Sequence, residues 1–131
     1  MAYGVKLFFD GSSRPAPHGM ATAVVAGGRS HLRRDLGAGT SMDAEWLALL
    51  HAVTLAHDLG VADAVVLGDA AAVIAQAKGD VRCPPACRDH LALFQTLPRI
   101  GRIRLRYIRR NQNLAGIALE AMREQAAARF V

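Results

Sequence analysis

Aromatic residues, cysteines and long apolar segments are all scarce in this chain. Aromatic residues make up 5% of its 131 residues, so platforms that stack single-stranded bases are not favoured. No apolar stretch reaches the roughly 18 residues of a membrane span. Lys6 and Asp10 interrupt the only early apolar run, so no signal peptide is predicted. We therefore expect a cytoplasmic protein with no membrane partner.

The chain has only two cysteines, Cys83 and Cys87, and His90 follows them at helical spacing. These three side chains could contribute to a zinc site, but no fourth ligand is nearby. The favoured interpretation is a pair of free thiols in an intracellular protein.

Length and composition are typical of one globular domain. A hydrophobic content of 52% with 21% charged residues provides enough apolar material for a proper core. Neither internal repeats nor a long linker interrupt the chain. We therefore predict a single domain over residues 1–131.

Positive charge is concentrated in one segment. The net charge is +5, yet residues 99–110 contain six arginines and no acid, whereas the other ten basic residues face eleven acidic ones. In Arg102–Tyr107 the arginines alternate with apolar residues, which places them on one face of a strand. A solvated strand face is one interpretation, but a row of guanidinium groups also suits the phosphates of a duplex.

Two aspartates follow strand-like segments. Asp10 comes directly after Val5–Phe9 and is predicted to close that strand, although Asp before Gly is also ordinary turn chemistry. Asp69 comes between an apolar run and the helical segment Ala70–Gly79, where a helix N-cap is the alternative role.

A glutamate lies on the inward face of a predicted helix. Thr40, Ser41 and Asp43 indicate a helix start, and Glu45 lies one turn before Leu49. The predicted buried stripe comprises Leu49, Ala52, Val53, Ala56 and Leu59. Glu45 shares that stripe; the alternative is a first-turn glutamate that complements the helix dipole.

These three carboxylates, Asp10, Glu45 and Asp69, could meet at one point. In open α/β sheets reactive groups gather beyond the carboxyl ends of strands, where both aspartates would lie if their strands were neighbours. Without a cation, mutual repulsion would raise at least one pKa and destabilise the fold. Because all the ligand atoms are oxygens, the predicted site favours Mg²⁺ or Mn²⁺.

The order of these motifs resembles that of the ribonuclease H family. Strand-Asp-Gly-Ser comes first, then Ala-Glu opening a helix, then strand-Asp before Val-Ile-x-Gln-x-x-Gly. The resemblance continues through Arg110-Asn111-Gln112-Asn113 and the last helix, so it covers nearly the whole chain. It indicates a compact member without the basic handle of some relatives.

The resemblance implies an α/β fold with a five-stranded mixed sheet flanked by helices. Its first three strands would form an antiparallel meander, with metal-bound carboxylates at one end of the sheet. The sequence supports this layout with strands over Met20–Ala26, Ser30–Leu36 and Arg102–Arg109, a hairpin turn at Gly27-Gly28, and helices over Pro85–Leu97 and Asn113–Arg129.

The resemblance also implies roles for individual residues. Asp10, Glu45 and Asp69 would be the catalytic and metal-binding residues. The residues expected to contact nucleic acid are Gly11, Ser12, Ser13, Ser41, Arg109, Arg110 and Asn113.

The largest departure from the family lies in the last helix. Members usually show Asn-x-x-Ala-Asp, and the Asp is a fourth metal ligand; alignment on Asn113 puts Gly116 and Ile117 at the Ala-Asp positions. Glu120, three residues later, is a substitute only if the helix faces the site. At Ser41-Met42, where the family often has Asn-Asn, we expect fewer groove contacts because Met42 cannot donate a hydrogen bond.

We therefore expect a metal-dependent endonuclease that hydrolyses the RNA strand of RNA/DNA hybrids, weakened by the loss of the fourth carboxylate. The alternative is a nucleic-acid-binding domain that keeps the fold and has lost catalysis. A third hypothesis is a nuclease that acts on another duplex, because one fold serves several nucleases.

Overall fold

The computed structural model describes residues 4–128, which form one sheet with helices on both faces. The strands are β1 (Val5–Arg14), β2 (Gly19–Ala26), β3 (Arg29–Arg33), β4 (Asp63–Gly68) and β5 (Arg102–Tyr107). The helices are α1 (Ser41–Asp58), α2 (Ala71–Lys78), α3 (Arg88–Thr96) and α4 (Leu114–Ala128). Short 3-10 turns, Pro85–Cys87 and Arg110–Gln112, precede α3 and α4. None of the helices in the described part of the chain is long and apolar enough to span a bilayer.

The strand order is β3-β2-β1-β4-β5. The first three strands pair antiparallel, and β4 and β5 add in parallel to β1. This arrangement confirms the predicted five-stranded mixed sheet that opens with an antiparallel meander.

The first strand is longer than its local sequence predicts. It continues past Asp10 to Arg14, which pairs with Gly19 of β2, so the prediction that Asp10 closes the strand is wrong. The antiparallel partner keeps the backbone extended through Gly11 and the serines. The parallel ladder to β4, in contrast, stops at Phe8. Asp10 therefore lies just beyond the point where its parallel neighbour has ended.

Other predicted boundaries also shift. β3 ends at Arg33 instead of Leu36 because Asp35 has a positive φ of 57°, which breaks the extended backbone. β5 ends at Tyr107 instead of Arg109, and the segment predicted as one helix over 85–97 divides into a 3-10 turn and α3. The last helix begins at Leu114, and its predicted end at residue 129 lies outside the described residues.

Two apolar clusters fill the spaces above and below the sheet. The larger one joins α1, α2 and α3 to one face, and the smaller one joins α4 to β1 and β2 on the other. The predicted inward stripe of α1 is buried except for Leu59, which is 54% exposed because it lies at the C-cap, after the last turn. Trp46 is fully buried, and its indole nitrogen donates to Gln76 Oε1 at 3.0 Å.

His51 gives the fold a pH-dependent stability. It is buried 2.9 Å from Thr22 Oγ1, and burial, with help from Arg33 and His31, lowers its pKa to about 4. Between pH 4 and 6.5 the unfolded chain therefore binds the extra proton, and the native state loses stability as the pH falls. The shift corresponds to at most about 3 kcal/mol.

We expect a His51→Gln variant to lose less stability than the native chain when the pH falls from 7 to 4.5. Urea unfolding at both pH values measures this difference. His57→Gln, at a partly exposed position on the same helix, is the control and should behave like the native chain. Parallel losses in the native and His51→Gln proteins would contradict this assignment.

Candidate active site

Asp10 is the centre of the candidate site. Its side chain leaves the same face of the sheet as Phe8 and Ala23, which is the face that α4 covers. It lines an open cavity of about 840 Å³ together with Glu45 and Asp69. The structure thus brings the three carboxylates singled out by the sequence to one place.

Gly11 allows the helix that carries Glu45 to approach β1. A Cβ atom at this position would overlap the carbonyl of Ala44 and lie 2.9 Å from the backbone nitrogen of Glu45. Only a residue without a side chain permits such close packing of strand and helix. Gly11 is itself buried, so its contribution is the spacing between β1 and α1.

We expect Gly11→Ala to lower the free energy of unfolding by about 3 kcal/mol, because backbone atoms on α1 cannot move aside as a flexible side chain would. Gly116→Ala is the matched control. A Cβ there would meet Asp10 Oδ2 at 3.5 Å, an ordinary contact, and alanine favours the helix by roughly 0.5–1 kcal/mol. Chemical denaturation of both variants measures their free energies of unfolding. If Gly11→Ala were as stable as Gly116→Ala, the close approach of α1 to β1 at Gly11 would be refuted.

Asp69 is held by a buried amide. It follows β4, and its Oδ1 accepts a hydrogen bond from Asn113 Nδ2 at 2.6 Å. The alternative role as a helix cap is not adopted, since the N-cap of α2 is Ala70 and makes no side-chain cap.

Asn113 organises the site from within the protein. Its Nδ2 also donates to the carbonyl of Phe9 at 2.9 Å, and its Oδ1 accepts from the backbone nitrogen of Ala115 at 3.1 Å, at the start of α4. The predicted contact between Asn113 and nucleic acid is wrong, because the residue is 0% exposed. Asn113 instead joins β1, Asp69 and α4.

The carboxylates are coupled electrostatically. Burial, together with the charges of Asp69 and Glu45, raises the pKa of Asp10 to about 7, although the Gly11 N–H and Arg110 act in the opposite direction. Burial and Asp69 also raise the pKa of Glu45. The neighbouring negative charges therefore oppose ionisation of Asp10 and Glu45, which is the condition that a bound cation relieves.

The donor set suits a hard divalent cation, since every ligand atom would be a carboxylate oxygen. Within residues 4–128, however, no group of three or more His, Cys, Asp or Glu side chains already has the spacing of a metal site. The three carboxylates share a cavity and a common charge, and binding would require their side chains to draw together.

The two arginines expected to contact nucleic acid are placed differently. Arg110 lines the carboxylate cavity, and its positive charge favours the ionised form of Asp10. Arg109 is also exposed but does not line this cavity. Ser41, at the first turn of α1, is exposed on the cavity wall.

The serines of β1 have partners within the protein. Ser12 Oγ accepts hydrogen bonds from Arg123 at 2.9 and 3.2 Å, and Ser13 Oγ donates to the carbonyl of Gly39 at 2.5 Å. Arg123 also donates to the carbonyl of Gly19, so it fastens α4 to the hairpin between β1 and β2. The sequence analysis did not identify Arg123. The only local indication of a specific role was that it is the single basic residue of the alanine-rich segment Leu114–Ala128.

An apolar residue occupies the α4 side of the cavity. Ile117 is 61% exposed and lines the same cavity as the three carboxylates. Glu120 and Glu124 also line this cavity. Glu120 lies 3.9 Å from Arg14, and both side chains are at least half exposed.

The two cysteines and His90, considered above as zinc ligands, have separate structural roles. Cys83 and Cys87 are free thiols. His90 Nε2 lies 3.0 Å from Asp43 Oδ1, and its ring stacks on Trp46. Because Asp43 and Thr40 form a capping box, His90 connects α3 to the start of the helix that carries Glu45.

Comparison with known proteins places this chain in a family. The reverse transcriptase-like family matches residues 23–122, which is most of the chain. No curated protein sequence matches significantly.

Several solved structures share the fold over nearly their full length. Ribonuclease H1 from the halophilic archaeon Halobacterium salinarum is 25% identical, with a TM-score of 0.76 and coverage of 93% of this chain and 99% of that one. The N-terminal ribonuclease H domain of a Mycobacterium tuberculosis protein, fused to maltose-binding protein, is 24% identical, with a TM-score of 0.72 and coverage of 95% and 99%.

A third similar structure is LC11 ribonuclease H1, solved in complex with an RNA/DNA hybrid. It is 17% identical, with a TM-score of 0.69 and coverage of 88% and 92%. The sheet order, the family match and these structures agree. This chain belongs to the reverse transcriptase-like family and is a ribonuclease H-like domain.

Proposed function

We propose that this protein is a metal-dependent endonuclease that hydrolyses the RNA strand of RNA/DNA hybrids. The observation that carries the proposal is the grouping of Asp10, Glu45 and Asp69 around one open cavity, where burial and the charges of the other two carboxylates raise the pKa of Asp10. A similar fold, that of LC11 ribonuclease H1, was solved with such a hybrid.

Asp10, Glu45 and Asp69 would hold Mg²⁺ or Mn²⁺. When bound, such ions can activate an attacking water and stabilise the charge on the leaving oxygen. Asp10 would supply its carboxylate from the central strand β1, Glu45 from α1, and Asp69 from the residue after β4. Asn113 orients Asp69 through the 2.6 Å hydrogen bond and so fixes one side of the site.

The substrate would lie across the mouth of this cavity. Arg110 places a positive charge beside Asp10, where it can attract a phosphate toward carboxylates that would otherwise repel it. Ser41 offers an exposed hydroxyl on the cavity wall, and Arg109 is a second exposed guanidinium, next to Arg110 in the sequence. The hydroxyls of Ser12 and Ser13 keep their internal partners and shape the β1 wall.

A second candidate is a binding domain with little or no catalysis. Ile117 favours it, because an exposed apolar side chain on the cavity wall supplies no oxygen for a second ion. Under this alternative the protein still binds a hybrid but does not cleave it.

Cleavage of labelled RNA/DNA, RNA/RNA and DNA/DNA duplexes of one sequence, in Mg²⁺ and in Mn²⁺, distinguishes these functions. The proposal expects Mg²⁺- or Mn²⁺-dependent cuts in the RNA strand of the hybrid alone. Salt-sensitive hybrid binding without cleavage would support the binding domain, and cleavage confined to another duplex would overturn the assigned substrate.

A further inference from the structure

One face of the sheet carries cations that the active-site cavity does not use. Strand register places Lys6, Val65 and Arg104 in one row, and Phe8, Leu67 and Arg106 in the next, on the same face. Arg102 and Asp63 form the row before these. We call Lys6, Arg102, Arg104 and Arg106 the basic face.

Among the described residues on this face of the sheet, α4 packs against β1 and β2 but not against β4 or β5. That cluster contains α4 residues together with β1 and β2 residues, and none from β4 or β5. Val65 and Leu67 are nevertheless only 9% and 8% exposed. The aliphatic stems of the flanking cations can cover them while the charged ends remain in water.

One of the four cations is already paired. Arg104 Nη2 lies 3.2 Å from both carboxylate oxygens of Asp63. Within residues 4–128, Lys6, Arg102 and Arg106 form no ion pair, and all three are exposed. The basic face therefore presents three charges to solvent.

The basic face is continuous with the candidate active site. Asp10 leaves the same face of β1 as Lys6 and Phe8, because it follows them at even spacing. Strand geometry puts the backbones of Lys6 and Arg106 about 12–13 Å from Asp10. That distance corresponds to about four nucleotide steps along a duplex at roughly 3.4 Å each.

We propose that the basic face binds the sugar-phosphate backbone of the duplex about four base pairs from the point of cleavage. This inference rests on the proposed function, since it assumes that a duplex lies over Asp10. Charge complementarity selects the occupant: Lys6, Arg102 and Arg106 point the same way from neighbouring rows, as a string of phosphates requires. The contact would add affinity for any sequence.

The test is the salt dependence of hybrid binding in EDTA, where metal-dependent cleavage cannot occur. We compare the native chain, a Lys6→Gln/Arg106→Gln variant, and an Arg29→Gln/Arg33→Gln control with the same change in net charge. Arg29 and Arg33 are exposed on β3, the edge strand farthest from β5. A 24-base-pair hybrid is the probe.

The basic-face variant should bind more weakly, and the slope of log affinity against log salt should fall in magnitude by about 2, whereas the control slope should not change. Lys6→Gln alone, at an exposed position, should give about half that change. Equal slopes in the variant and the control would overturn the inference. So would displacement of the hybrid by polyglutamate as effectively as by duplex DNA, because that result indicates a surface for acidic proteins.

Failure here and failure of the proposed function are distinguishable. If no duplex is cleaved in Mg²⁺ or Mn²⁺ but the slopes differ as expected, catalysis is absent and the basic face stands. If the hybrid is cleaved but the slopes are equal, the active site stands and the basic face does not contact the duplex.

Discussion

Replacing Asp10 with Asn is expected to abolish hybrid cleavage and, without metal, to stabilise the fold. Loss of the central carboxylate should lower activity by more than the roughly 10- to 100-fold that is typical when a residue hydrogen-bonded to a metal ligand is replaced. The stability gain follows from the raised pKa of about 7, since at pH 8 the native chain must keep a half-buried carboxylate ionised beside Glu45 and Asp69. The shift sets an upper limit of about 4 kcal/mol, which solvent screening reduces.

Measuring the stability of both proteins at several pH values in EDTA tests whether Asp10→Asn stabilises the fold. A raised carboxyl pKa means that the native state binds more protons than the unfolded state between pH 4 and 7, so the native chain loses stability as the pH rises through this range. The Asp10→Asn variant should lose less stability over this range, and the stabilities of the two proteins should differ most at pH 8. Mg²⁺ should then raise the unfolding temperature of the native chain more than that of the variant. A variant that is less stable at pH 8 would contradict the repulsion between these carboxylates.

Replacing Ile117 with Asp is expected to raise Mg²⁺-dependent cleavage by about tenfold or more. Ile117 already lies on the wall of the cavity, so an aspartate there adds a fourth oxygen ligand without moving α4. Because the side chain is 61% exposed, its removal leaves no cavity in the core and should cost little stability.

Ile117→Asn is the matched control for this prediction. It has the size and polarity of the aspartate without the charge, so it should leave cleavage near the native level. Glu120→Gln in the native background tests whether Glu120 already supplies the missing oxygen, which would show as a loss of activity. No gain from Ile117→Asp would refute both the alignment at this position and the view that the fourth carboxylate limits this chain.

The site was partly predictable because some of its chemistry is local. Asp10, Glu45 and Asp69 each follow a pattern readable within about ten residues: a β-rich run before Asp-Gly, a capped helix start with an inward register, and an apolar run before a helix. The buried stripe of α1, apart from Leu59, followed from the same periodicity.

The remaining features depend on contacts between distant segments. Asn113 lies 44 residues from Asp69 and 104 from Phe9, and no local pattern separates a buried amide from one that faces substrate. The extension of β1 past Asp10 required its antiparallel partner. Arg123 and Ser12 are 111 residues apart, so their hydrogen bonds could not be read from spacing.

The measurement that tests the central claim most directly is cleavage of a labelled RNA/DNA hybrid by the native chain and by Asp69→Asn, in Mg²⁺ and in Mn²⁺. The three-carboxylate account predicts metal-dependent cuts in the RNA strand that disappear in the variant. Cleavage that persists unchanged in Asp69→Asn, or no cleavage by the native chain in either metal, would contradict it.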